Sequence, residues 1–149
     1  LQFPDYKTKD MTEIFFIRDT AGRITSFSAK GHSGFAPKGD DIVCAAVSAL
    51  LQAAVFSLSI ICVPAPQYSI SSANLSCCLP TDPQFYSEET EQEIQTILKH
   101  TLIALMNITL SHPSNLTLHL NDPLHWQELL TAENSDQVLR TFMHASVNQ

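Results

Sequence analysis

Hydrophobic residues change their spacing several times along the chain, and each change marks an element. From Glu13 to Arg18, Ile14 and Phe16 share one side while Phe15 and Ile17 share the other, the period-two signature of a strand. Asp19-Thr20-Ala21-Gly22 is a turn by residue type. Arg23 to Lys30 then sets Ile24, Ser26 and Ser28 against Thr25, Phe27 and Ala29, and the two strands read as a hairpin. Asp41 to about Cys62 follows as a long helix, free of Gly and Pro after its start. Val43, Val47, Leu50, Leu51, Ala54, Phe56, Leu58 and Ile61 make it apolar nearly all round. Such a helix needs cover on both sides, from the sheet on one and from a second helix or a partner subunit on the other. Pro64 and Pro66 end it.

Gln67–Ser71 and Asn74–Leu79 read as a third and fourth strand around a serine-rich turn, and Pro80–Pro83 as a linker. Ser87 to about Thr109 is a second helix with an apolar stripe of Ile94, Ile97, Leu98, Leu102, Leu105 and Met106. Glu88, Glu89 and Glu91 suit its N-terminal dipole, and His112-Pro113 breaks it. Leu116–Leu120 is a short alternating strand or edge segment. The expected fold is α+β and two-layered: an antiparallel four-stranded sheet in β-β-α-β-β-α order, with helices on one face. Residues 11–120 form this domain. Residues 1–10 are a polar N-terminal tail, with Met11 a candidate initiator. Residues 121–149 form a C-terminal helical extension, with helical signals over 124–131 and 135–145 and an expected packing role.

Composition narrows the function. With 149 residues the chain is one domain, long enough for a core without disulfides. A net charge of -7 with only 8 Lys and Arg argues against binding a nucleic-acid backbone, while an acidic protein attracts basic partners. The longest apolar run, Ile42 to Val63, is interrupted by Ser48, Gln52, Ser57 and Ser59, so it reads as a core helix and no membrane association is expected. No signal-peptide pattern opens the chain as given, and a cytoplasmic location is the expectation. Cysteines 44, 62, 77 and 78 fit no metal-ligand spacing, so no metal and no organic cofactor is called for. They are expected as reduced thiols, with Cys77 and Cys78 on opposite sides of their strand.

The chemistry concentrates in Gly31-His32-Ser33-Gly34-Phe35-Ala36-Pro37-Lys38-Gly39-Asp40-Asp41-Ile42-Val43-Cys44-Ala45-Ala46-Val47-Ser48. A histidine sits in a glycine-bounded loop and a cysteine in the first turn of the apolar helix. Asp40 and Asp41 are both good N-cap types, and the positive helix end beside Cys44 favours an anion. Thiolate attack with imidazole as proton carrier needs this pair of groups. Backbone N–H groups at the helix start, that of Cys44 included, are natural oxyanion donors. Gly31, Ser33, Gly34, Phe35 and Gly39 belong to a loop suited to closing over a peptide. Asp41 is a cap, and a functional role in orienting the loop or His32 is open. Ser48, one turn after Cys44, either bonds the thiol, imidazole or substrate, or back-bonds to the Cys44 carbonyl. Each residue has a plainer role when taken alone: a lone loop histidine or a small buried helix cysteine is common. His100, His112, His119, His125 and His144 read as surface or packing residues, and Trp126 as a core anchor.

This stretch resembles the ribosomal-processing cysteine protease (Prp) family, whose members carry a Gly-His-x-Gly loop followed by Asp-Ile-Val-Cys-Ala-Ala-Val-Ser. The resemblance is strong over the loop and helix start and looser from about Met11 to Leu120. It implies a catalytic dyad of His32 and Cys44, with Asp41 and Ser48 in supporting positions. It also implies a homodimer that removes a short N-terminal extension from bacterial ribosomal protein L-twenty-seven, cutting after a Leu-Gln-Phe-Phe sequence. The loop from Ser33 to Asp40 would order on substrate, so the dyad need not be hydrogen-bonded without it. Two other readings are a non-catalytic dimeric binding module for a ribosomal protein or assembly factor, and a thiol redox or transfer enzyme, which would need a resolving thiol near Cys44.

Overall fold

The computed structural model describes residues 11–82 and 84–121. It runs β1 (Thr12–Arg18), β2 (Ile24–Lys30), α1 (Ile42–Ile61), β3 (Gln67–Ser71), β4 (Asn74–Cys78), α2 (Glu88–Ser111) and β5 (Leu116–Leu120). The α+β class and the order of the first six elements are as expected. The sheet is not: it has five strands in the order β3-β4-β2-β1-β5, and it is mixed. β1 pairs antiparallel with β2, β2 with β4 and β3 with β4, while β5 lies parallel to β1 with Thr12 opposite Leu116 and Phe16 opposite Leu120. The fifth strand is the Leu116–Leu120 segment. Its parallel direction follows from α2, which carries the chain from β4 on one side of the β1–β2 hairpin to β5 on the other. Parallel neighbours require a crossover of this kind.

One face of the sheet makes the core. Ile14, Phe16, Phe27, Ala29, Leu75, Cys77 and Leu116 alternate inward and join the buried residues of both helices in a single cluster. The helices therefore cover one face, as expected. Cys77 is buried and Cys78 exposed, the opposite-side placement that strand geometry requires. Burial pushes the Cys77 thiol up to about 12, so it is an inert core group. On the open face Phe15 stacks on His119 with ring centroids 4.6 Å apart, and His100 lies exposed on α2. The expected C-terminal helical extension, with Trp126, His125 and His144, and the N-terminal tail lie outside the described residues.

Helix α2 starts at Ser87, whose hydroxyl accepts from Thr90 N–H at 3.2 Å. It is fastened to β2 at the end of the sheet away from the His32 loop. The Arg23 guanidinium pairs with Glu91 and donates to the Pro80 carbonyl at 2.7 Å. The Gln95 amide brackets the backbone of Ile24, accepting from its N–H at 2.9 Å and donating to its carbonyl at 3.0 Å.

Helix α1 departs from expectation. Val43, Val47, Leu51, Ala54, Val55 and Leu58 are buried, but Ile42, Phe56 and Ile60 are 65%, 51% and 80% exposed. Only one side is covered within the described chain. By length and composition α1 is the one helix among the described residues apolar enough to cross a membrane. Its interrupting serines and Gln52 do not remove that character; its buried side joins the core shared with the sheet and α2.

The passage from β2 into the loop rests on Gly31. Its φ is +88°, and a Cβ there would collide with the Met11 carbonyl. The glycine demanded here answers first to the backbone of β1. Gly31→Ala is expected to lower stability by about 2 kcal/mol or more through strain and clash together. A urea melt checks this: the midpoint falls with an unchanged slope.

Candidate active site

The hairpin and α1 meet at the loop of residues 31–40, and the meeting is organised by one carboxylate. Asp41 is the N-cap of α1: its Oδ1 accepts from Cys44 N–H at 2.9 Å. Its Oδ2 accepts from the Ser33 hydroxyl, from Phe35 N–H at 3.2 Å and from Ala36 N–H at 3.5 Å. The expected cap and the loop-orienting role that the sequence left open are thus performed by two oxygens of the same side chain. Partial burial pushes this carboxyl upward, but the bonds from Cys44, Ser33, Ala36 and Phe35 outweigh it and hold the group below its ordinary value. Asp40 does not cap; its N–H donates to the Pro37 carbonyl at 3.0 Å in a turn.

Cys44 is the third residue of α1 and half-buried. Its Sγ accepts from Ser33 N–H at 3.4 Å, so one backbone dipole is aimed at the sulfur. His32, Gly31, Gly34, Gly39, Asp41, Cys44 and Ser48 all line one cavity of about 590 Å³. Val47, Leu51, Leu75 and Ile70 supply apolar wall beside them. His32 is exposed, and no hydrogen bond joins it to Cys44 among the described residues. The Ser48 hydroxyl faces neither the thiol nor the Cys44 carbonyl for a bond; it accepts from Gln52 at 3.4 Å on the cavity wall.

Two of the five loop residues named from the sequence fall outside the cavity wall. Ser33 is fully buried beneath the loop. Phe35 is 45% exposed and packs edge-on against His112 with ring centroids 5.3 Å apart. The expectation that Cys44 N–H serves as an oxyanion donor is corrected, because the Asp41 cap already occupies that N–H.

The sequence reading missed Asn115. Its Nδ2 donates to the Ser33 carbonyl at 2.8 Å, and its own backbone is fixed, with N–H donating to His112 O and C=O accepting from Thr12 N–H, both at 3.0 Å. No local pattern signals this contact across 82 positions. None of the other three cysteines lines the cavity, so no resolving thiol stands near Cys44. Among the described residues no cluster of His, Cys, Asp or Glu could hold a metal ion.

A family model described as cysteine protease Prp matches residues 11–117. No curated protein matches the chain. The fold is similar to that of an essential ribosomal processing protease Prp from S. aureus, solved with a covalently linked product peptide: TM-score 0.63, 22% identity, 74% of this chain and 100% of that one. The same protease with a substrate peptide gives TM-score 0.60 and 21% identity over the same shares. SMU.848 from Streptococcus mutans gives TM-score 0.59 and 24% identity, covering 74% of this chain and 93% of that one.

The Asp41 bonds yield a prediction with a defined sign. A depressed carboxyl contributes stability above its unfolded value, here the ordinary 3.8, and loses it as pH falls through the lower folded value. Asp41→Ala should cost about 1 kcal/mol at neutral pH from the cap, and the gap from wild type should narrow as pH falls to about 3. Urea midpoints at the two pH values decide it; a gap that stays constant refutes the assignment.

Proposed function

The chain belongs to the cysteine protease Prp family, and on that premise we propose that it is a thiol endopeptidase using His32 and Cys44 as a dyad. The observation that carries the reading is the placement of both side chains on one peptide-sized cavity, with the sulfur at a helix N-terminus and facing a backbone donor. His32 takes the thiol proton, and the Cys44 thiolate attacks the peptide carbonyl. The tetrahedral intermediate collapses as the protonated imidazole delivers that proton to the leaving amine, which departs. Water, deprotonated by His32, then attacks the thioester, releasing the acid and restoring the thiol. The helix start and the Ser33 N–H favour the anionic states along this path. No organic cofactor enters the scheme.

The substrate we propose is the N-terminal extension of ribosomal protein L-twenty-seven, cut after a Leu-Gln-Phe-Phe type sequence, in the cytoplasm. Support comes from family membership and from the apolar walls of Val47, Leu51, Leu75 and Ile70, which suit aromatic side chains. A net charge of -7 suits a basic protein substrate and not a phosphate backbone. Ser33, Phe35 and Ala36 are held by Asp41 and Asn115, so closure on the peptide falls to residues 37–40 and to rotation of the exposed His32 side chain toward Cys44.

A homodimer is part of the same reading. The uncovered stripe of Ile42, Phe56 and Ile60 on α1 is the surface we assign to it, since an apolar helix face left in water favours association.

Incubating a peptide that spans the extension with wild type and with Cys44→Ala tests the reading by mass spectrometry. One cut after the paired aromatics in wild type and none in the variant is expected, a loss of at least about 10³-fold. No cut in either, with the peptide bound, favours a binding module. For the dimer, light scattering should give twice the 16.5 kDa chain for wild type and the single chain for Ile60→Asp; equal masses refute the assigned surface.

A further inference from the structure

Ser33 is the most constrained residue of the loop. Its hydroxyl donates to Asp41, its N–H points at Cys44 Sγ at 3.4 Å, and its carbonyl accepts from Asn115 at 2.8 Å. It stands close to two glycines with positive φ, Gly31 at +88° and Gly34 at +63°, so the adjoining backbone has unusual freedom to rotate. A donor stabilises an anion only while it is aimed at it, and the bond weakens steeply off line. The restraint must come from outside the loop.

We propose that Asn115 is a positioning residue for the Cys44 thiolate: its side-chain amide clamps the Ser33 carbonyl and thereby aims the Ser33 N–H at the sulfur. Asn115 suits the task because it is itself anchored. It closes the turn between α2 and β5, with its backbone tied to His112 and Thr12. The same turn holds Phe35 through the His112 ring, so the loop is gripped at two places from one side. The inference rests on Cys44 as nucleophile, but not on the identity of the substrate.

Asn115→Ala and the apolar near-isostere Asn115→Leu, made in the full chain, test it. Alkylation of Cys44 by iodoacetamide is followed from pH 5 to pH 9 by site-resolved mass spectrometry, with exposed Cys78 as internal control. The titratable groups around the sulfur are Asp41 and, on the cavity wall, His32 and Lys38; all are retained. The expected result is alkylation at pH 7 slowed about tenfold, the loss of one aimed bond to an anion. The profile is displaced to higher pH, Cys78 is unchanged, and peptide cleavage loses kcat with KM held. A Cys44 profile superimposable on wild type in whichever variant folds, with only the melting temperature lowered, makes Asn115 a structural staple and overturns the proposal. A displaced profile in a protein that cleaves no peptide would instead sink the protease reading and leave the positioning role standing.

Discussion

The Asp41 carboxylate is the constraint on which the site depends. Its two oxygens serve two different pieces of backbone: Oδ1 starts α1 through Cys44 N–H, and Oδ2 holds the loop through Ser33, Phe35 and Ala36. Helix and loop are therefore fastened to one rigid group of atoms and cannot move apart at this point. The arrangement has an electrostatic cost in the proposed reaction, because it sets a fixed negative charge beside the sulfur that becomes a thiolate there. Two features near Cys44 oppose that cost. The helix start contributes its dipole, and Ser33 contributes an N–H at 3.4 Å from the sulfur.

Much of this was legible in the sequence, for reasons that differ by element. The hairpin showed because its apolar residues repeat every second position, and α2 because its stripe repeats at helical spacing. The pairing of Asp41 with Cys44 was also open to reading, since an N-cap side chain binds the N–H three residues on. The same rule should have removed Cys44 N–H from the oxyanion donors. Leu116–Leu120 was recognisable as a strand but not as a parallel neighbour of β1, because alternation carries no direction. Its neighbour is decided by where α2 delivers the chain. Asn115 was invisible for the same reason: its contact with Ser33 exists only once β5 lies beside β1. Ser33 looked like one polar loop residue among several, and its complete burial comes from that tertiary closure.

Helix α1 shows a different limit. Its composition indicates that water is a poor solvent for nearly every side of it, and the fold satisfies this on one side only. Sequence pattern can count apolar faces but cannot say whether the same chain or another molecule covers them. The Ile42, Phe56 and Ile60 stripe is the part of the demand that the described chain leaves unmet.

The parallel contact of β5 with β1 sets the order in which the site can be built. The strands are joined across 103 positions where Asn121 accepts from Arg18 N–H at 2.8 Å, and long-range parallel pairing is slow to form because chain closure precedes its reward. During synthesis the hairpin, His32, Asp41 and Cys44 leave the ribosome well before residue 115. An emerging chain thus carries every reactive group but not the clamp on Ser33. The surroundings of the thiol are therefore complete only once the turn at Asn115 and the last described strand, β5, have joined the sheet.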